Sequence, residues 1–261
     1  MTRIAAVGAV VRYEARMAAR ARAVWIGMVP VALLGLVIAL APLTGQESAR
    51  LNAGVMAEGL ALLVPVGVAV VLADRLRRGG ATGMDELLDT APLNGTVRVT
   101  GVLGGALAVA LVPVLALVAV LGAVIAVRTG DAMALGWSAL AFLLVVLPAC
   151  AWTAALASLL GLVLPVTLAR FLVIPLWFWA ISWNYALLWA PTPVGTVLVP
   201  SGEYPAQAWF GTTPAWAGRG QIDWLSPAPD GAVTGLVNLA CVLLGTALMV
   251  GCARLIMMRR R

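Results

Sequence analysis

The sequence contains no histidine and no lysine, and all 17 of its basic residues are arginine. Without histidine there is no HExxH zinc site, no Ser-His or Cys-His nucleophile pair and no haem of the usual ligation. Without lysine there is no Schiff base and no complete GxxxxGK[ST] phosphate loop, so the chain is not expected to hydrolyse ATP or to be an enzyme. The exclusive use of arginine is read as genomic base composition rather than function. Cysteine is also scarce: Cys150, Cys241 and Cys252 fall inside apolar runs, where a thiol behaves as a small hydrophobe, and their spacing suits neither a disulfide nor a metal.

Charge is the next scarcity. Only 11% of the 261 residues are charged and 62% are hydrophobic, whereas a soluble domain carries about 25% charged residues. With a mean hydropathy of +1.02, the composition excludes a soluble globular domain. It fits a polytopic, all-α membrane protein in a single domain over residues 1–261, with about half the chain in hydrocarbon.

Unbroken apolar length predicts six spans, at about Val24–Leu43, Val55–Val71, Gly101–Val127, Leu135–Leu160, Phe171–Trp189 and Ala232–Ala253. An even number puts both termini on one side. Pro148 is expected to kink the fourth span, and Gly161–Pro165 to form a tight hairpin before the fifth. With the N-terminus inside, fourteen arginines are cytoplasmic and only Arg50, Arg128 and Arg219 lie outside. That bias satisfies the positive-inside rule and predicts a multi-pass protein of the bacterial cell membrane with cytoplasmic termini. Trp137, Trp183, Trp189, Trp209, Trp216 and Trp224 then anchor the outer interface and Trp25 the inner one.

The first 23 residues are too arginine-rich, and too short of a central apolar run, for a cleavable signal. At helical spacing Ala6, Val10, Tyr13, Met17, Ala21 and Val24 form one stripe, beside a second of Arg12, Arg16 and Arg20. Residues 3–23 are therefore expected to lie along the cytoplasmic headgroups, although a plain basic tail satisfies the same charge rule.

The longest cytoplasmic connection covers residues 74–99. Thr82 can cap a short helix whose first turn holds Asp85 and Glu86 and which continues through Leu87, Leu88 and Asp89 until Pro92 stops it. A helix of about two turns is marginal in water and must pack on something, either its own bundle or another protein.

These features together resemble the permease subunits of ABC-2 type ABC transporters. The likeness rests on the interfacial N-terminal helix, on Arg78-Gly79-Gly80 and Glu86-Leu87-Leu88 before Pro92, and on a long external segment, about 191–230, before the last span. It implies an elbow helix carrying Arg12, Tyr13, Arg16, Met17 and Arg20. It also implies a coupling helix, with Thr82, Asp85, Glu86, Leu87, Leu88 and Asp89 docking into a separate ATP-binding-cassette ATPase. ATP and Mg²⁺ would be bound by that partner, leaving this chain with no cofactor. The family often has a basic residue after the glycine that opens the third span; here Val102 follows Gly101, and Arg98 is the nearest substitute.

The other partners expected are a second permease, identical or related, and the lipid bilayer, with no nucleic acid. The small-residue steps Gly101-x-x-x-Gly105 and Gly231-x-x-x-Gly235 fit either a seam with that second copy or packing within one bundle. At membrane depth Glu58 either lines an external gate or snorkels outward, and Asn184, Asn238, Thr153 and Ser158 line a path or bond across helices. The function expected is export of a hydrophobic or amphipathic drug, lipid or peptide. A stand-alone membrane protein, such as a secondary carrier or a self-protection factor, is the alternative.

Overall fold

The computed structural model describes residues 3–40, 48–77, 95–183 and 191–259. The expected coupling residues Thr82, Asp85, Glu86, Leu87, Leu88 and Asp89 lie outside the described residues, as does Asn184. Every regular element among the described residues is helical. The first part of the chain forms α1 (Arg3–Arg20), α2 (Arg22–Leu40), α3 (Ala49–Leu72), α4 (Gly95–Ala110) and α5 (Val112–Thr129). A long α6 (Ala134–Val163) follows, then α7 (Val166–Ile181), a short α8 (Glu203–Phe210) and α9 (Ala232–Arg259).

Five helices are long and apolar enough to cross a membrane, namely α2, α3 with its continuation to Arg77, α5, α6 and α9, while α4 and α7 are apolar but shorter. The chain thus has the architecture of a helical membrane protein. Two of the six expected runs are not single long helices. The third divides at Leu111, because Pro113 in the first turn of α5 has no N–H to donate and its ring crowds the turn below. The fifth begins at Val166 and ends at Ile181, short of the expected Trp189. In α6 the expected kink takes a specific form. Pro148 cannot donate to the carbonyl of Leu144, and the helix widens into a π-turn over Phe142–Val146 immediately before it. The turn after α6 is shorter than the expected Gly161–Pro165 hairpin, because Gly161–Val163 remain helical: Leu164, preceding Pro165, is extended at φ −107° and ψ 162°, and Pro165 starts α7.

Helix α3 is the centre of the bundle, with Met56, Leu60, Val64, Val68 and Leu72 fully buried. Its last carbonyls, which a helix cannot satisfy internally, meet α6: the Ser158 hydroxyl donates to the Leu72 carbonyl at 3.3 Å. One turn on, Gly161 faces the Ala73 carbonyl oxygen so closely that an added Cβ would fall on it. From α7, the Trp177 indole donates to the Leu62 carbonyl at 3.0 Å, and Arg170 pairs with Asp74 at 3.0 Å. Thr153 bonds within its own helix, to the Ala149 carbonyl at 3.0 Å.

Helix α1 packs along α4, and the glycine step of α4 is its seat. An added Cβ at Gly101 would lie 2.6 Å from Val10 Cγ1, and one at Gly105 would lie 2.8 Å from Glu14 Cβ. The first small-residue step is therefore occupied within the chain, and so is Gly235, whose Cβ would meet Ala208 of α8 at 3.0 Å. The face of α1 that packs on α4 is not the Tyr13–Met17 stripe. Ala18 is fully buried and Val10, Val11 and Glu14 face α4, whereas Tyr13 and Met17 are 46% and 49% exposed. At 100° per residue the Tyr13–Met17 stripe lies about a quarter-turn from the packed face, with the exposed Arg12, Arg16 and Arg20 beyond it. At the turn into α2, the Trp25 indole donates to the Ala19 carbonyl at 2.8 Å and caps the end of α1.

Gly161→Ala is expected to destabilise the bundle by about 1–3 kcal/mol, because the new methyl must push apart two backbones. Thermal unfolding of the purified protein in detergent measures this, and an unchanged midpoint would contradict the close approach of α3 and α6.

Candidate functional site

The helices run so that arginine gathers at one end of the bundle. Arg22 opens α2, Arg75 and Arg77 close α3, Arg98 lies in the first turn of α4, Arg170 in the first turns of α7, and Arg254 and Arg259 at the end of α9. At the opposite end Arg50, Arg128 and Arg219 are accompanied by Asp131, Glu203, Asp223 and Asp230. That opposite end is covered by the 191–230 segment, which contains the candidate site.

The cover is built on Tyr204 and Asn238. Tyr204 is fully buried; its hydroxyl accepts from the Gly218 N–H at 3.0 Å and lies 3.0 Å from the Gly195 carbonyl, to which it donates. Asn238 of α9 uses both amide hydrogens on the segment, donating to the Val197 and Val199 carbonyls at 2.8 Å each. Glycine permits the turns: Gly202 and Gly211, which bracket α8, have φ of 78° and 76°, where a side chain is strained. Gly54 of α3 then lets the segment approach, since its Cβ would lie 2.5 Å from Phe210 Cβ and 2.7 Å from Thr212 Cγ2. Phe210 meets Trp137 edge-on at 6.5 Å, and the Arg50 guanidinium stands 5.6 Å over the Trp137 ring while its Nε donates to the Trp209 carbonyl at 2.6 Å.

One turn beyond Gly54 on the same face of α3 stands Glu58. Because α3 begins at Ala49 rather than the expected Val55, Glu58 is about two and a half turns into the helix. Its Oε1 accepts from the Thr212 hydroxyl at 2.8 Å, so the covering segment, not headgroup water, supplies its partner. Glu58 lines a cleft of about 250 Å³ with Glu203, Ser201, Trp216, Leu62 and Ile181. Glu203, the first residue of α8, accepts from the backbone N–H groups of Ala217 at 2.8 Å and Trp216 at 3.1 Å. Burial pushes its carboxyl above the ordinary 4.5, with those two N–H donors opposing the shift.

No family model matches the chain, and no curated protein matches it. Of Glu58, Asn184 and Asn238, only Glu58 lines the cleft; Asn238 lies beyond it, holding the cover, and Asn184 is outside the described residues. Glu203 and Thr212 were not singled out from the sequence. The signal that could have found Glu203 is a lone acid after Gly202 at the start of a short apolar helix. Two carboxylates, hydroxyls and an apolar wall suit a small amphipathic group bearing positive charge. Among the described residues no three His, Cys, Asp or Glu side chains converge as metal ligands.

Since the folded state holds the Glu203 proton more tightly than the unfolded chain, folding stability contributed by this group is present at low pH. It declines as pH rises from the unfolded value of 4.5 through the higher folded value. The difference in unfolding midpoint between wild type and Glu203→Gln is expected to change across that window, with wild type losing relative stability as pH rises. Parallel curves from about pH 4 to pH 8 would contradict it.

Proposed function

We propose that this chain is the membrane-spanning permease subunit of an ABC-2 type transporter, exporting a hydrophobic or amphipathic cargo on ATP hydrolysed by a separate ATPase. The observation that supports this best is the seating of α1 on α4 through Gly101 and Gly105. The segment proposed to dock on the ATPase, residues 82–89, precedes α4 in the chain, and α4 carries α1 along its side. A force applied to that segment reaches α4 and α1 as one body, because backbones in contact at glycine cannot slide without repacking. The chain itself binds no nucleotide; ATP and Mg²⁺ belong to the partner.

In this reading the arginine-rich end and both termini face the cytoplasm of a bacterial cell, and the covered cleft opens outside. A second permease, copy or relative, completes the path. Its contact does not use the Gly101 step, which α1 fills, and the exposed apolar faces of α2 and α9 remain for lipid or that partner.

An ATP-binding-cassette protein is expected to co-purify with this chain, and Leu87→Arg combined with Leu88→Arg should abolish the association while leaving membrane insertion unchanged. Co-purification undiminished in the double variant would remove the coupling role. For orientation, a membrane-impermeant thiol reagent added to cells should label a cysteine at Gly218 and not one at Gly80; the opposite pattern would invert the topology.

A further inference from the structure

Each acid of the covered cleft is held by only one of its two oxygens. Thr212 donates to Glu58 Oε1 at 2.8 Å, and the backbone N–H groups of Ala217 and Trp216 converge on Glu203 Oε2 at 2.8 and 3.1 Å. The other oxygens, Glu58 Oε2 and Glu203 Oε1, make no hydrogen bond to the described residues. A third oxygen on the lining, the Ser201 hydroxyl, is buried and also has no hydrogen-bond partner among the described residues. The two carboxylates are near enough to repel one another across the cleft. No positive group lines it. The chain has no lysine, and the three arginines at this end lie elsewhere: Arg50 against the Trp209 carbonyl and Trp137, Arg128 in the last turn of α5, and Arg219 exposed, 3.4 Å from the Ala215 carbonyl. Residues 41–47 and 184–190 contain no arginine, so they supply no counter-charge either.

Acceptors left open in a half-enclosed space are costly, and a cation that brings N–H donors lowers that cost at each of them. The walls restrict the rest of the ligand. Leu62, Ile181 and Ala61 are apolar, and Trp216 offers an aromatic ring, whose quadrupole favours an ammonium group. A metal ion fits poorly, because only two carboxylates line the cleft and no third His, Cys, Asp or Glu joins them among the described residues. At about 250 Å³ the volume lies below the roughly 300 Å³ at which pockets for whole drug-sized ligands begin, so the cleft takes a charged group and the carbons next to it. We propose that the cleft binds a lipophilic amine through its protonated nitrogen, which donates to Glu58 Oε2 and Glu203 Oε1 while the apolar body lies against Trp216, Leu62 and Ile181. A primary ammonium has three N–H donors, enough for both carboxylates and the Ser201 hydroxyl. As a statement about cargo this rests on the permease reading; as a statement about binding it needs only the cleft.

The test uses the full-length protein in detergent at neutral pH, with phenethylamine as the probe and titration calorimetry and the unfolding temperature as readouts. Phenethylamine should bind and raise the unfolding temperature. Phenethyl alcohol has the same body without the charge, and trimethylphenethylammonium has the charge without N–H donors. Each should bind at least about tenfold more weakly, the worth of one hydrogen bond to a charged group. Glu58→Gln and Glu203→Gln should each weaken phenethylamine binding about tenfold, and Asp223→Asn, an exposed acid outside the cleft, should leave it unchanged. Should Glu203→Gln fail to fold, Glu58→Gln and Ser201→Ala carry the same comparison. Binding unchanged in the cleft variants, an equal loss in Asp223→Asn, equal binding of the alcohol or the quaternary amine, or equal protection by calcium would each overturn the proposal. The two readings fail separately: amine binding by a chain that recruits no ATP-binding-cassette protein removes the permease reading alone, and an ATPase-bound chain that binds no amine removes this one alone.

Discussion

Helix α3 must satisfy its backbone where no water reaches it, and the bundle is arranged around that requirement. At one end its carbonyls meet Ser158 and Gly161 of α6; at the other, Gly54 admits the chain at Phe210–Thr212. Its middle receives the Trp177 indole at the Leu62 carbonyl. In hydrocarbon an orphan carbonyl costs several kcal/mol, which makes the Ser158 contact at the end of α3 more constraining than a single apolar contact. Gly105 and Gly161 stand where another helix's backbone comes too close for a side chain, and at Pro148 the lost N–H is absorbed by the widened turn before it.

Much of this was legible in the sequence, because spanning length is a one-dimensional property. The apolar runs of about 20 residues are helical where described, apart from the break at Leu111 and the end of the fifth at Ile181, and the Pro165 turn and the Pro148 distortion follow from covalent geometry. What was not legible is which way each helix faces. A helix hydrophobic all round carries no moment to orient it, and in α1 alanine and valine on two faces made the choice ambiguous. The face that packs is set by Gly101 and Gly105 on another helix, distant in sequence. The second span starts earlier than expected for a related reason: its apolar run begins at Val55, yet the helix begins at Ala49, where Arg50 reaches the Trp209 carbonyl and Trp137.

The two ends of the bundle differ in their electrostatic design. At the arginine-rich end, the described acids are Glu14 and Asp74, far fewer than the arginines around them. Such a surplus is tolerated next to anionic headgroups and would be repulsive without them. At the covered end acids outnumber arginines and are met by neutral donors, Thr212 for Glu58 and two backbone N–H groups for Glu203. Neutral donors stabilise a carboxylate without pinning its charge as an arginine would, leaving both acids responsive to what enters the cleft.

The cover and the helices beneath it are not independent bodies. The 191–230 segment is fastened to α3 at Gly54 and Glu58, and to α9 at Asn238. It is fastened to α6 at Gly202, where an added Cβ would stand 2.8 Å from Val145 in the π-turn. A displacement of α3 against α9 must therefore distort the cleft or break one of these attachments. The weakest is the Glu58–Thr212 hydrogen bond, a single side-chain contact beside a cleft, whereas Asn238 makes two short bonds in full burial. Protonation or a bound cation at Glu58 would change that one contact without disturbing the others. The covered end can thus be altered locally while the segment stays anchored to α9, which is the mechanical condition for a site that opens without unfolding its cover.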